Sequence, residues 1–299
     1  MSRVLAYTSP ARGHLFPIVP VLDALRERGH GIALRTLASE VAAMSGRGFA
    51  TAAIDDGFAA LPHDDHTAGN PRAALLRSLD VFARRAPLDA EDLRRAIEAE
   101  QPDVLLVDIN CWGAMAEAER WGGPWAAWCP YPLPLPSRDA PPFGPGFAPA
   151  RGPAGRLRDR LLGPVIMRTY EKAILPRINA VREERGLAPL GSAPEALTRA
   201  PLVLAMTAAP FEYVRSDWPG SIRMIGPCAW EPPAAAPDWL AEVDRPLVLV
   251  TTSSEFQDDG RLAEVALEGL ADEDVQVVVT LPAQEPADFR APANARVER

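Results

Sequence analysis

Apolar positions follow two rhythms along the first 130 residues. Short apolar runs bounded by Gly, Pro or Asp alternate with longer stretches where apolar residues recur every three or four positions. Residues 3–9 read as a strand and 15–28 as a helix, with Leu15, Ile18, Val19, Leu22 and Leu25 at helical spacing. Pro17 is expected in the first helical turn and Gly29 just past its end. Residues 31–36 form a second strand, and Ser39 is expected to cap a short helix ending near Gly46 or Gly48. Residues 51–54 give a third strand and 57–70 a polar loop. Two helices, 71–85 and 88–100, lead to a strand over 103–108, a helix over 112–121 and a strand over 125–129. This alternation predicts an α/β fold: a doubly wound, Rossmann-like parallel sheet.

The rhythm breaks at 130–155, where nine prolines from Pro130 to Pro153 exclude regular structure. Long irregular segments inside compact domains usually carry function. A helix over 156–186, broken at Pro164 and Pro176, and a strand over 201–206 follow. Residues 226–246 are rich in Pro and Ala and read as a linker between a domain at 1–225 and a second unit at 247–299. The second unit restarts the α/β pattern: strand 247–251, the loop Thr252-Ser253-Ser254, helix 259–271 and strand 275–280. One βαβ unit cannot bury both faces of a sheet, so this second Rossmann-like domain is expected to be incomplete.

Composition narrows the function classes. The 299 residues are 47% hydrophobic and 24% charged, those of an ordinary soluble protein. A net charge of −9 argues against nucleic acid or an anionic membrane as partner. No run approaches the roughly 18 apolar residues of a membrane span, and no apolar leader opens the chain. A cytoplasmic location is expected. Cys111, Cys129 and Cys228 are too widely spaced for a metal site and read as small buried hydrophobes.

The chemistry concentrates at two strand ends. In an open α/β sheet, ligands bind outside the carboxyl ends of the strands, where the strand order reverses. With the order 3-2-1-4-5, strands 1 and 4 are neighbours there. His14 follows strand 1, and Asp108 ends strand 4. A carboxylate can fix the tautomer of an imidazole and stabilise it once protonated, which makes a general base and its orienting partner. Asp108 would equally serve as a cap or Asx-turn residue for the helix starting near Trp112. His30 sits in a helix-to-strand turn and reads as structural. His63 and His66 belong to a solvated loop and lack partners at metal-ligand spacing. Dinucleotide, P-loop and nucleophile-elbow motifs are missing. Trp112, Trp121, Trp125 and Trp128 read mostly as core, with Trp112 placed to line an apolar pocket together with Tyr131, Phe143 and Phe147.

The stretch Ser9-Pro10-Ala11-Arg12-Gly13-His14-Leu15-Phe16-Pro17 resembles the opening of the family-1 glycosyltransferases of the GT-B fold, especially bacterial natural-product enzymes. Arg28-Gly29-His30-Gly31-Ile32, Pro102 to Asp108, Met224-Ile225-Gly226-Pro227 and Leu247 to Ser254 resemble later motifs of that family, in order. The resemblance implies an inverting hexosyl transfer from a UDP- or dTDP-sugar to a hydroxyl of a hydrophobic acceptor, without cofactor or metal. The position matching His14 is the base, supported by that matching Asp108. Phe16, Trp112, Tyr131, Phe143 and Phe147 are expected to hold the acceptor in the N-terminal domain. Arg12, Gly13, Ser253 and Ser254 are expected near the donor diphosphate. The family's His- and Gly-rich donor segment lies beyond the motifs present, so most of the donor domain is expected outside this sequence, and the chain alone is expected to bind acceptor but turn over poorly. Small-molecule acceptor and nucleotide sugar are the expected partners, with a homodimer compatible. The competing reading is a non-catalytic acceptor-binding module, or an inactive partner of another glycosyltransferase.

Overall fold

A computed structural model describes residues 1–61 and 64–299. The chain divides into two compact units, Met1–Glu231 and Pro232–Arg299.

The first unit is built on seven parallel strands: β1 (Arg3–Tyr7), β2 (Gly31–Thr36), β3 (Ala50–Ala53), β4 (Val104–Asp108), β5 (Trp125–Cys129), β6 (Val203–Ala205) and β7 (Ile222–Met224). Their order is β3-β2-β1-β4-β5-β6-β7, so the direction of winding reverses between β1 and β4. Tyr7 pairs with Val107, and Asp108 pairs with Trp128. The strands are apolar at successive positions because both faces are covered. Leu5, Tyr7, Leu105 and Val107 face α3 (Pro71–Glu100) and α4 (Trp112–Trp121). Val4, Ala6, Leu34 and Leu106 face Leu15, Ile18, Val19 and Leu22 of α1 (Arg12–Glu27) and Met44 of α2 (Val41–Gly46).

Several helix boundaries differ from those expected. α1 starts at Arg12, three residues before its apolar periodicity begins, because its first turn faces outward and carries no core residue. Pro17 and Pro20 therefore both lie inside the helix. The two helices expected over 71–100 are one, capped by the Asn70 side chain on the Ala73 amide (2.9 Å), with Pro87 in its interior. α5 (Pro153–Glu184) likewise runs through Pro164 and Pro176. An internal proline removes one backbone hydrogen bond and disfavours the helix by about 3 kcal/mol. Burial of Ala86, Ala90, Leu93 and Ala96 along α3 outweighs that cost. In α5 the buried residues, Ile178, Val181 and Arg182, are confined to the last turns, while Leu157, Leu161 and Val165 are exposed. Ser39 caps nothing; it lies in a short 3-10 turn, and its hydroxyl donates to Glu40 (3.3 Å). The short elements α6 (Ala193–Thr198) and β7 carry too few residues to show a period.

The second unit contains β8 (Leu247–Thr251), α7 (Gly260–Gly269), β9 (Gln276–Thr280) and the unanticipated β10 (Ala295–Glu298), in a parallel sheet of order β10-β9-β8. Ala263 and Leu267 of α7 pack on Val277 and Val279. Leu247 and Leu249 are exposed.

α3 and α4 approach unusually closely. A Cβ on Gly113 would overlap the backbone carbonyl of Ala86. Backbone cannot yield as a side chain can, so Gly113→Ala is expected to cost about 3 kcal/mol, read as a lower urea midpoint by fluorescence of the buried Trp125 and Trp128.

α3 also brings charge beneath the sheet. Arg85 and Asp89 are buried, and Arg85 Nη2 stands 3.8 Å from Asp89 Oδ1. Among the described residues neither Asp89 oxygen has a hydrogen-bond partner. Burial pushes the Asp89 carboxyl up to about 8; Arg85 opposes this, and Asp108 and Asp92 add to it. The unfolded chain releases this proton near pH 4, so from about pH 4 to 8 the folded state binds more protons and stability falls as pH rises. Asp89→Asn is expected to flatten that fall. Urea unfolding of both proteins at pH 5, 6, 7 and 8 reads it; parallel slopes would refute it.

Candidate functional site

The reversal between β1 and β4 sets two loops side by side. After β1 the chain turns through Ser9 and Pro10, with the Ala11 amide donating to Ser9 O (2.8 Å), and enters α1. His14 lies in the first turn of α1. After β4, Asp108 begins the turn into α4, its carbonyl accepting from the Cys111 amide (3.0 Å).

Asp108 is wholly buried, and its carboxylate collects donors from both loops. Oδ1 accepts from the Asn110 amide (2.9 Å). Oδ2 accepts from the Ser9 amide (3.3 Å) and contacts His14 Nδ1 at 2.7 Å. A carboxylate only accepts, so in the neutral imidazole this contact places the proton on Nδ1 and leaves Nε2 its lone pair. The Asn110 side-chain nitrogen stands 3.4 Å from Nε2, and Tyr131 Oη donates to Asn110 Oδ1 (2.7 Å). Asp108 makes both contacts at once: its Oδ1 closes an Asx turn two residues on, while Oδ2 contacts the histidine. Behind the loops, Arg85 Nη2 donates to Ser9 Oγ (3.2 Å) and stacks over Phe58.

Asn110 and Tyr131 also line a cavity of about 1130 Å³, enclosed by α3, α4, the irregular segment after β5, α5 and α6. Its walls are mainly apolar and aromatic, among them Phe82, Trp112, Phe143, Tyr170 and Ile174. Trp112 packs against Phe82 with ring centroids 5.5 Å apart. Glu119, Arg182 and Arg199 supply charge at one side. Burial alone would raise the Glu119 carboxyl, but hydrogen bonds from Arg182 (2.7 Å) and Arg199 (2.6 Å) hold it at about 2.

Of the residues singled out in the sequence, the structure brings His14, Asp108, Tyr131, Trp112 and Phe143 to this site. Others have different surroundings. Phe16 packs edge-on against Trp230 at 4.9 Å, with the core on the α1 side of the sheet. Helical geometry turns it away from the cavity, two residues after His14. Phe147 is covered by the Arg158 guanidinium (4.6 Å) and does not line the cavity. Arg12 is paired with Glu40 (2.7 Å). At Gly13 a Cβ would meet nothing within 4 Å, so the helix start is open. Ser253 and Ser254 lie in the second unit, where the Ser253 amide donates to Asp259 (2.7 Å) and Ser254 is exposed. His63 lies outside the described residues, and His66 sits in a 3-10 turn over Asp65–Thr67. Among the described residues no group of His, Cys, Asp or Glu could hold a metal ion, and no helix is long and apolar enough to cross a membrane. The three cysteines are free; burial pushes Cys129 up to about 12 and Cys111 well above the usual thiol range. Asn110 had a sequence signal, two residues after a strand-end Asp. The α5 and α6 wall had none.

No family model matches the chain. It is 34% identical to 4'-demethylrebeccamycin synthase of Lentzea aerocolonigenes, over 100% of this chain and 74% of that protein. The crystal structure of the glycosyltransferase SnogD from Streptomyces nogalater superposes with a TM-score of 0.62 over 99% of this chain and 71% of that one, at 21% identity. The glycosyltransferase VinC, solved in complex with DTDP, gives 0.57 over 99% and 71%, at 23% identity. The structural matches carry the fold, and the sequence match carries the kinship: this chain belongs to the GT-B-fold glycosyltransferases of natural-product pathways.

Proposed function

We propose that the first unit binds a hydrophobic natural-product acceptor and activates one of its hydroxyls for inverting attack on a nucleotide-diphosphate sugar. The observation that carries this reading is the 2.7 Å contact between His14 Nδ1 and the buried Asp108 carboxylate. It leaves Nε2 basic beside Asn110 and Tyr131, two residues of the cavity wall. The acceptor O–H gives its proton to Nε2, and Asp108 stabilises the imidazolium. The oxygen attacks the anomeric carbon on the face opposite the diphosphate, which leaves with the bonding electron pair and inverts that centre.

The apolar, aromatic cavity suits a ring system of drug size. The second unit takes the nucleotide sugar in this reading, with Ser253 and Ser254 near the diphosphate, where hydroxyls and loop amides suit anionic oxygens. A dTDP- or UDP-hexose is the proposed donor, and the DTDP bound to VinC supports the thymidine nucleotide; the proposal includes no metal or cofactor. Arg12 is held by Glu40 and has a weaker claim to the donor than the sequence suggests.

Transfer from dTDP-glucose or UDP-glucose to 2-naphthol by the enzyme with its donor domain intact, followed by product mass, tests the base. His14→Ala is expected to lower kcat about 10²- to 10⁴-fold, with binding of naphthalene, which lacks the hydroxyl and is read by quenching of tryptophan fluorescence, nearly unchanged. Undiminished transfer by the variant would sink the assignment and leave the cavity as a binding module.

A further inference from the structure

The three side-chain contacts at the rim of the cavity run in one direction. Tyr131 Oη donates to Asn110 Oδ1, the Asn110 amide nitrogen approaches His14 Nε2, and His14 Nδ1 donates to Asp108. Each link fixes the next. Asp108 demands a proton on Nδ1, which makes Nε2 an acceptor. An acceptor at Nε2 calls for the NH₂ end of Asn110, which turns Oδ1 toward Tyr131. Burial pushes the Tyr131 hydroxyl well above its usual range, with Cys129 and Asp108 adding to the shift, so it stays a donor at any working pH.

The Asn110 contact is 3.4 Å, longer than the usual 2.9–3.0 Å of such bonds. The amide thus stands at the lone pair of the base without binding it tightly. An incoming hydroxyl must reach the same lone pair. We propose that Asn110 is a catalytic residue that marks the acceptor hydroxyl's place: its N–H guards His14 Nε2 when the site is empty and donates to the acceptor oxygen when the site is filled. Tyr131 acts through it as a positioning residue.

In the filled site the acceptor O–H donates to Nε2. One oxygen lone pair faces the anomeric carbon and the other accepts from Asn110 Nδ2. As the O–H bond breaks, the proton passes to Nε2 and negative charge gathers on oxygen, where the amide N–H stabilises it. The new C–O bond forms as the diphosphate leaves. The backbone amide of Asn110, which holds Asp108 Oδ1, is untouched by side-chain substitution. The variants therefore probe the carboxamide alone.

The inference rests on His14 being the base, and the test separates the two. Binding of 2-naphthol is compared with that of naphthalene, which lacks the oxygen that Asn110 and His14 would both bind, by tryptophan quenching. Asn110→Ala is expected to shrink the preference for the naphthol about five- to tenfold and to lower kcat about 10²-fold. Asn110→Asp, of the same shape but bearing only acceptors, is expected to lose more. Tyr131→Phe is expected to lose about threefold, and the Asn110→Ala/Tyr131→Phe double variant no more than Asn110→Ala alone. A naphthol preference and kcat that survive in Asn110→Ala but collapse in His14→Ala overturn the role of Asn110 only. A preference that survives in His14→Ala overturns the reading of the base as well.

Discussion

A buried carboxylate must be neutralised or surrounded by donors, and Asp108 is surrounded. Its two oxygens draw one backbone amide from the loop after β1, one from the loop after β4, and one imidazole nitrogen. Those donors lie about a hundred residues apart in sequence and come together only because β1 and β4 are neighbours. The parallel sheet, the reversal of winding and the apolar strands under two helical layers all serve to bring two strand ends into register. The histidine's orientation then follows from the carboxylate's need.

Support for this arrangement comes from a layer of polar groups behind the two loops. Arg85 reaches Ser9 from α3, and Tyr7 donates to Asp92 from within β1 (3.1 Å). Such groups are costly inside a protein unless their geometry is held. Here they hang from the longest continuous helix packed on the sheet, which accepts Pro87 to remain continuous.

Strand ends and strand order were readable because parallel strands are apolar runs with sharp polar stops, and Asp108 is the polar stop of β4. His14 was readable for the same reason, although its place inside α1 was not, since a helical turn facing a site shows no apolar period. Pro87, Pro164 and Pro176 misled: the local rule against a proline within a helix is real, and burial on either side of Pro87 and just after Pro176 overrode it there. Phe16 and Phe147 misled because an aromatic near a site looks the same in sequence whether it faces the site or a neighbouring guanidinium. The cavity's far wall is assembled from α5 and α6, whose residues meet α3 and α4 only after folding.

The closeness of α3 and α4 at Gly113 divides the cavity into unlike halves. Trp112 and Phe82 stand where two backbones meet without room for a methyl group, so that side is a fixed template. The opposite side comes from the irregular segment after β5 and from the first half of α5, which buries none of its side chains. Substitutions there disturb little packing. Under the proposed function, a change of acceptor therefore has a cheap route, reshaping the loose wall while the rigid one keeps a ring system aimed at the histidine.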